Sequence, residues 1–253
     1  MNNDYITLKN DLLSLGLSRG ECVLIHSSYK SMGNVEGGIE TLINAILAVI
    51  GDSGTLIAPT LSFKTVTPDN PVFDYLKTPS CVGSVSEYVR NMDGAIRSIH
   101  PTHSCVAIGR EAELYTKGHE NDRTPAGENS PFYKLMHNDG KILMLGCGTN
   151  CNTSFHAIEE IAKAPYALTG EPITHTLILP DRVYTADYRR HTILQNGFAQ
   201  RYLRISQVLD SKYMPCGYIH GAESYLFSAG KMMEAALSAM KQNAYYFVSK
   251  EEK

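Results

Sequence analysis

The chain of 253 residues is 43% hydrophobic and 19% charged, proportions that are ordinary for a globular protein with one large core. Its formal net charge of -3 at pH 7 argues against a basic surface for nucleic acid and against a polybasic segment for a membrane. We therefore expect a single domain over residues 1–253 that acts on a small molecule and has no nucleic-acid partner.

The N-terminal residues give no sign of export. They lack the basic and apolar stretches of a secretory signal, and no apolar run approaches the length of a membrane span. The six cysteines are scattered along a chain far longer than a disulfide-stapled mini-domain, so reduced thiols are expected. Only Cys147 and Cys151 are close in sequence, and no second cluster accompanies them to build a zinc site. These features predict a cytoplasmic protein without a membrane partner.

The first sixty residues predict a parallel β-α-β unit. Apolar spacing predicts a helix over 4–15 that stops at Gly16, followed by a strand in "ECVLIHSS". A glycine-bearing turn then leads into a strong helix over 39–50 and a second buried strand, "GTLIAPT". This arrangement has the length of a right-handed crossover between parallel strands.

The middle of the chain alternates loops with shorter elements. Residues 61–81 hold three prolines and no sustained period, which predicts an excursion over the surface such as a lid or substrate loop. Next come a helix "VGSVSEYVRNM", a strand "SCVAIG", a loop "HENDRTPAGENSP", a helix "SPFYKLMHND" and a buried strand "KILMLGCG".

The last third of the chain predicts a hairpin and then mixed elements. The segments "EPITHTLILP" and "RVYTADYRRH" flank Pro180-Asp181, which is typical of a hairpin. Helices are expected near 198–212 and 228–243, with a strand around "YIHGAESYL" between them. The whole pattern predicts a layered α/β fold in which a mixed, mostly parallel sheet is flanked by helices, with a late β-hairpin.

A polar turn with several glycines follows the first predicted strand, in "HSSYKSMGNVEGGIET". Open α/β sheets commonly bind a ligand at such a strand end, and the free N–H groups of a helix N-terminus suit a phosphate. The spacing matches neither G-x-G-x-x-G nor a Walker loop, so a tight turn that needs Gly37 and Gly38 for conformation is an equal alternative. His26 and Ser27 point to opposite faces of a strand, which argues against serine-hydrolase chemistry.

Two histidines bracket a proline in "RSIHPTHS". His100 and His103 lie in an extended segment and need not share a face. Both structural hydrogen bonding and a place in the wall of a cleft are compatible with this pattern.

The stretch "GCGTNCNTSFHAIEE" begins as a loop and ends as a helix. If Asn152 or Thr153 caps that helix, His156 and Glu159 lie on the same face. Such a pair can ligate a metal, but di-metal bundles need a second copy of the motif, which the sequence lacks. The pair can also transfer a proton, with the carboxylate holding the imidazole in one tautomer. Spacing alone leaves a structural histidine equally compatible.

Three blocks, over 26–60, 97–109 and 126–160, resemble the antibiotic N-acetyltransferase family typified by the aminoglycoside 3-N-acetyltransferases. They occur in the family's order and at similar spacing, whereas the last ninety residues match only in outline. The resemblance implies an enzyme that uses acetyl-CoA and no metal to acetylate an amine of an aminoglycoside. It also implies a fold distinct from the common acetyltransferase superfamily, whose Q/R-x-x-G-x-G/A signature is absent.

The resemblance also implies roles for individual residues. The T-x-x-H-x-x-E block places the catalytic base at His156 with Glu159 as its acid, and a further acid from the late hairpin fits Asp187. The H-P-T-x-S block resembles a wall of the same cleft, with His100, Thr102 and Ser104. The block that receives coenzyme A comprises His26, Ser27, Ser28, Ser31, Gly33, Val35, Gly37 and Gly38.

The implied mechanism is direct transfer in a ternary complex, with His156 removing the proton of the attacking amine. Backbone N–H groups near Ser27 and Ser28, or a side-chain hydroxyl, are expected to stabilise the oxyanion. Acids of the two long loops are candidates for binding a polycationic acceptor, although a solvated acidic surface is the simpler explanation: Asp69, Asp74, Glu120, Asp122 and Glu128.

Other functions remain open from the sequence. One alternative acceptor is an amino sugar or sugar nucleotide of polysaccharide biosynthesis. Another class is a metal-dependent hydrolase with His156, Glu159, His100 and His103 as ligands, and a third is a non-catalytic relative that binds coenzyme A. A homodimer is compatible with the sequence, which does not set the oligomeric state.

Overall fold

A computed structural model describes residues 2–168 and 170–251. Its helices are α1 Asn3–Leu15, α2 Gly38–Ile50, α3 Ser84–Arg90, α4 Ala112–Thr116, α5 Pro131–His137, α6 Phe155–Ile161 and α7 Ala229–Gln242. Its strands are β1 Cys22–Ser27, β2 Thr55–Pro59, β3 Val72–Asp74, β4 Ile96–Arg97, β5 Cys105–Gly109, β6 Lys141–Leu145, β7 Ile173–Ile178, β8 Val183–Tyr188, β9 Phe198–Gln200, β10 Cys216–Ile219, β11 Ala222–Ser228 and β12 Val248–Lys250. No helix in this described part of the chain is long and apolar enough to cross a membrane.

The central sheet has seven strands in the order β10-β11-β6-β1-β2-β5-β4. At its centre β1 pairs in parallel with both β2 and β6, and the outer pairs are antiparallel. The predicted layered α/β fold with a mixed sheet is confirmed, and its parallel strands are the central ones. Because parallel strands end at the same edge, the segments that follow β1, β2 and β6 meet there.

Helices cover both faces of this sheet. Along β1, Val23 and Ile25 pack on one side and Leu24 packs on the other, as the alternation of a strand requires. The first side is covered by α1, α2 and α3, and the second by α5, α6 and α7. A strand buried on both faces needs an unbroken apolar run, which explains the sequences of β1 and β6.

Two smaller sheets lie outside the central one. The predicted hairpin is confirmed as β7 and β8, and β3 adds to it in parallel with β7. The excursion over 61–81 is tied down rather than loose, because the buried Arg97 guanidinium donates to the carbonyl oxygens of Tyr75 and Thr78. The third sheet pairs β9 with β12.

The helix predicted over 198–212 is wrong. The chain forms β9 there and then two short 3-10 helices, Tyr202–Gln207 and Ser211–Tyr213. Local spacing favoured a helix, but two tertiary interactions override it. One is the pairing of β9 with β12, and the other is the burial of Tyr202 and Ile205.

The single strand predicted around "YIHGAESYL" is also wrong. It is a hairpin of β10 and β11 that turns at His220 and Gly221, which have φ of 47° and 78°. Positive φ at two consecutive residues is the requirement of a tight hairpin turn, and histidine adopts it only rarely.

A glycine at the end of β6 fixes the approach of two loops. Gly146 has φ of 64°, and a Cβ there would collide with the Ser31 hydroxyl, whereas Gly148 has φ of 66° and open space around it. We expect Gly146→Ala to lower the free energy of unfolding by about 2–3 kcal/mol and Gly148→Ala by about 1 kcal/mol, since backbone strain is common to both and overpacking affects only the first. Urea unfolding of both variants measures this, and equal losses would contradict the collision.

Candidate active site

His156 and Glu159 lie on α6, which follows β6 at the parallel edge of the central sheet. The N-cap of α6 is Ser154 rather than Asn152 or Thr153, and Asn152 instead accepts the Ser154 N–H through its side chain. This shift of the helix start leaves the i,i+3 relation unchanged. Burial of Phe155 and Ile158 in the core holds the helix in place.

A buried carboxylate joins the two predicted catalytic residues. His156 Nδ1 lies 3.1 Å from Glu159 Oε2, and Glu159 is completely buried. The Tyr202 hydroxyl donates to both carboxylate oxygens, at 3.2 and 3.1 Å. A carboxylate facing Nδ1 keeps the ring proton on that nitrogen and leaves Nε2 as the basic atom.

A second imidazole–carboxylate pair lies beside the first. His191, which follows β8, lies with Nε2 2.8 Å from Glu160 Oε1 and its ring centroid 4.2 Å from that of His156. Glu160 also accepts hydrogen bonds from the Thr124 hydroxyl and the Ala126 N–H. Burial raises the pKa of Glu160 to about 7, against the opposing effect of these hydrogen bonds.

Three further histidines surround His156 and are uncharged at neutral pH. Burial, together with repulsion from a charged His156, lowers the pKa of His26 to about 3. The same two effects hold the pKa values of His103 and His191 well below the ordinary histidine value. These three rings therefore add no positive charge beside His156 at neutral pH.

A cavity of about 210 Å³ opens at this edge of the sheet. It is bounded by the ends of β1 and β2, by α3 and by the loop between β6 and α6, a place where open α/β sheets bind ligands. The lining residues are Ile25, His26, Ser27, Pro59, Val82, Ser86, Cys147, Cys151 and Thr153.

The residues predicted to receive coenzyme A form the turn from β1 to α2. Gly37 and Gly38 both have positive φ, of 78° and 70°, and no side chain caps α2. Gly33 also has positive φ, of 70°, while Val35 is buried in the core. The turn is therefore shaped by its glycines, and the first N–H groups of α2 have no side-chain cap among the described residues.

The serines of this turn are used within the fold. The Ser28 N–H donates to the Leu145 carbonyl oxygen, and the Ser31 hydroxyl donates to the Ser28 carbonyl oxygen. The Ser28 N–H is thus already engaged, and stabilisation of an oxyanion by another N–H group near Ser27 and Ser28 or by a side-chain hydroxyl stays a prediction.

The histidine next to the predicted H-P-T-x-S residues is the one that faces the site. His100 is fully buried and its Nδ1 accepts the N–H groups of Thr102 and His103. Ser104 accepts from Arg97 Nε. The Thr102 hydroxyl lies 2.9 Å from His103 Nδ1, and the His103 ring centroid is 5.6 Å from that of His156. His100 and Thr102 therefore hold His103 in place, whereas Ser104 bonds to Arg97 and Thr60.

Asp187 does not share the surroundings of Glu159. It is exposed on β8 and accepts a hydrogen bond from the Thr174 hydroxyl on β7. Among the described residues no hydrogen bond or ion pair joins it to His156. The structure brings His191 and Tyr202 to the pair instead, neither of which the sequence indicated, since Tyr202 falls in the predicted helix and His191 at the end of the predicted hairpin.

Two of the acids in the long loops accept hydrogen bonds within their own loops, and the other three are exposed or half-buried. Asp74 accepts the N–H groups of Leu76 and Lys77, and Asp122 accepts from Asn129. Burial raises the pKa of Asp122 to about 6. Asp69 and Glu128 are exposed and Glu120 is half-buried.

One group of side chains in the described part of the chain has the spacing of a metal site. His156, Glu159 and His191 each offer a ligand atom, and these atoms lie within 4.8 Å of one another. His100 is not in this group, so the ligand set predicted for a hydrolase is not assembled. An ion here would have to replace the hydrogen bond from His156 to Glu159. As a proton-transfer pair, His156 and Glu159 keep this hydrogen bond.

Comparison with known proteins places this chain and its fold in a family. Residues 24–241 match the profile of the Aminoglycoside 3-N-acetyltransferase family. The chain is 32% identical over 199 residues to aminoglycoside N(3)-acetyltransferase IV of Salmonella sp, covering 78% of this chain and 74% of that protein. It is 34% identical over 176 residues to aminoglycoside N(3)-acetyltransferase VII of Streptomyces paromomycinus, covering 62% of this chain and 60% of that protein.

A solved structure agrees over nearly the whole length. The aminoglycoside acetyltransferase AAC(3)-IVa, as a histidine-to-alanine mutant in complex with a gentamicin, is 27% identical with a TM-score of 0.82, covering 96% of this chain and 90% of that one. The fold and these matches define the protein as an acyltransferase. It belongs to the aminoglycoside 3-N-acetyltransferase family, as its three sequence blocks implied.

The two thiols of the cavity differ sharply in acidity. A hydrogen bond from Cys147 lowers the pKa of Cys151 to about 6. We expect iodoacetamide to modify Cys151 with a half-maximal rate near pH 6, because the thiolate is the reactive form. The fully buried Cys105 should stay unmodified, since burial raises its pKa well above the ordinary thiol value.

Mass spectrometry of the alkylated peptides over a pH series measures this. Cys147→Ala serves as the control, and its loss of the hydrogen bond should move the midpoint toward the ordinary thiol range. A midpoint above about pH 8, the range of an unperturbed thiol, in the unmodified sequence would contradict the assigned contact.

Proposed function

We propose that the protein transfers the acetyl group of acetyl-CoA directly to an amine of an aminoglycoside, with His156 as general base. The observation that carries this proposal is the hydrogen bond of 3.1 Å from His156 Nδ1 to the fully buried Glu159, beside a cavity at the parallel edge of the sheet. The aminoglycoside acetyltransferase names of its relatives support the reaction and the acceptor class.

His156 and Glu159 divide the proton transfer between them. The acceptor nitrogen attacks the thioester carbonyl carbon while His156 Nε2 takes the proton of that nitrogen. Glu159 keeps the other proton on Nδ1 and stabilises the imidazolium, and Tyr202 holds the carboxylate in place. The tetrahedral intermediate then collapses with cleavage of the C–S bond, and the imidazolium returns its proton to the leaving thiolate.

The turn from β1 to α2 is proposed to receive the donor. The uncapped start of α2 offers N–H groups and the positive end of the helix dipole to a pyrophosphate. The acyl end then enters the cavity beside His26, Ser27 and Thr153. Since the Ser28 N–H is engaged, the Thr153 hydroxyl is the proposed donor to the oxyanion.

One observation favours a second acceptor class, an amino sugar or sugar nucleotide. No carboxylate is among the described residues that line the cavity, and Asp74 and Asp122 are used within their own loops. A polycationic acceptor gains most from a carboxylate-lined site, whereas a sugar with one amine does not need it.

Replacement of the base tests the mechanism. We expect His156→Asn to lower kcat about 10²–10⁴-fold with acetyl-CoA and a responsive amine, because general-base assistance is worth that much. Release of the coenzyme A thiol measures turnover, and circular dichroism reports the fold. His137→Asn on α5 is the matched control, since that histidine is exposed and its hydrogen bond and ring contact within the described residues are both with Tyr133 of the same helix. Full turnover by a folded His156→Asn variant would disprove the assignment.

A panel of acceptors separates the functions. Thiol release with aminoglycosides supports the first proposal, and release confined to amino-sugar nucleotides supports the second. Coenzyme A binding without release across the panel indicates a non-catalytic relative. Stoichiometric zinc or iron by elemental analysis, with hydrolysis in place of acetyl transfer, would favour the metal-dependent hydrolase.

A further inference from the structure

Adjacent glutamates on α6 each engage a different histidine. Glu159 is bonded to His156, and Glu160 is bonded to His191 at 2.8 Å. The two rings are 4.2 Å apart between centroids, so the pairs are in direct contact. The mechanism above uses only the first pair, although the second is also buried, with the His191 side chain 5% exposed and that of Glu160 8% exposed.

The His191 ring lies between the two carboxylates and bonds to one of them. Its Nε2 is hydrogen-bonded to Glu160, while its Nδ1 lies 3.7 Å from Glu159 Oε2 and has no hydrogen-bond partner among the described residues. A neutral imidazole carries a single N–H, so these distances place that proton on Nε2, toward Glu160. The unpartnered nitrogen then faces the carboxylate that holds His156.

Glu160 is fixed by groups outside α6. The Thr124 hydroxyl donates to Oε2 and the Ala126 N–H donates to Oε1. These two donors come from the loop between α4 and α5, so the position of Glu160 is set independently of His156. Together with the His191 bond they compensate for the burial of a carboxylate.

Charge on Glu160 and charge on His156 favour each other. Attraction to a charged His156 lowers the pKa of Glu160 against the larger effect of burial, which raises it to about 7. Coupling of this kind is reciprocal, so an ionised Glu160 must favour the imidazolium form of His156.

We propose that Glu160, held by Thr124 and acting through His191, is a positioning residue that sets the proton affinity of the base His156. This inference rests on the proposed role of His156. It means that two carboxylates, rather than one, stabilise the imidazolium formed when the acceptor amine attacks.

Other titratable groups also face this pair and remain unchanged in the test below. His156 and Glu159 lie on the same helix, and the others come from the elements packed against it: His26, His100, His103, Asp122 and Tyr202.

Glu160→Gln removes the charge and keeps the acceptor oxygen for Ala126 and His191. We expect the pKa of His156 to fall by about 0.5–1 pH unit, because a negative charge near an imidazolium favours it. The acid limb of kcat/KM should move to lower pH by the same amount, because a base of lower pKa stays unprotonated in more acidic solution. The plateau of kcat should fall about 3–10-fold, as a weaker base accepts a proton less readily, with KM unchanged.

The direct measurement is an NMR titration of the His156 ring, assigned by comparison with His156→Asn. In the unmodified protein the titration should be broad, because Glu160 titrates in the same range, and in Glu160→Gln it should follow a single ionisation. Glu111→Gln is the matched control, since it removes one charge near Cys22 at the opposite edge of the sheet. His191→Gln is the second variant and should shift the titration in the same direction.

The titration distinguishes this inference from the proposed function because it needs no turnover. A shift in Glu160→Gln but not in Glu111→Gln supports the coupling even where no acetyl transfer is found. An identical His156 titration in folded Glu160→Gln and in the unmodified protein overturns the inference, whatever the activity.

Discussion

Glu159 carries a carboxylate that the fold removes completely from water. Burial of such a charge costs several kcal/mol unless donors replace the lost solvent. The donors come from two distant parts of the chain, His156 one turn earlier on α6 and Tyr202 in the segment after β9. Because the Glu159 carboxylate requires hydrogen-bond donors, it holds α6 and the segment that contains Tyr202 together. The same segment does not form the helix that its local sequence favours.

The contact between α6 and the Tyr202 segment lies at the edge where the central parallel strands end. Because β1, β2 and β6 run in one direction, their carboxyl ends open together on the cavity beside α6. The antiparallel β5 begins at the same edge, and the segment before it brings His103 to the site. Gly146, at the end of β6, allows the following loop to pass close to Ser31.

The neutrality of the surrounding imidazoles follows from the same burial. Rings that are buried and lie beside another histidine are poor bases, so His26, His103 and His191 remain uncharged while His156 is held by a carboxylate. The proposed base His156 therefore has neutral rings beside it and the Glu159 carboxylate at Nδ1, an arrangement that suits gain and loss of one proton. The two glutamates of "HAIEE" have different partners, because each meets a different histidine in space.

The sequence by itself determined the elements whose spacing is regular and local. The helix of α2, the strands β1 and β6, the hairpin of β7 and β8 and the His156–Glu159 pair all follow from periodicities of 2 and 3.6 residues and from three blocks in family order. Only the tertiary structure decided which residues complete the pair. Tyr202 and His191 reach it from segments far apart in the chain, and Glu160, next to Glu159 on α6, joins it through His191. The expected Asp187 lies exposed on β8. Local spacing does not predict such contacts. They form because a buried charge without hydrogen-bond partners would destabilise the fold.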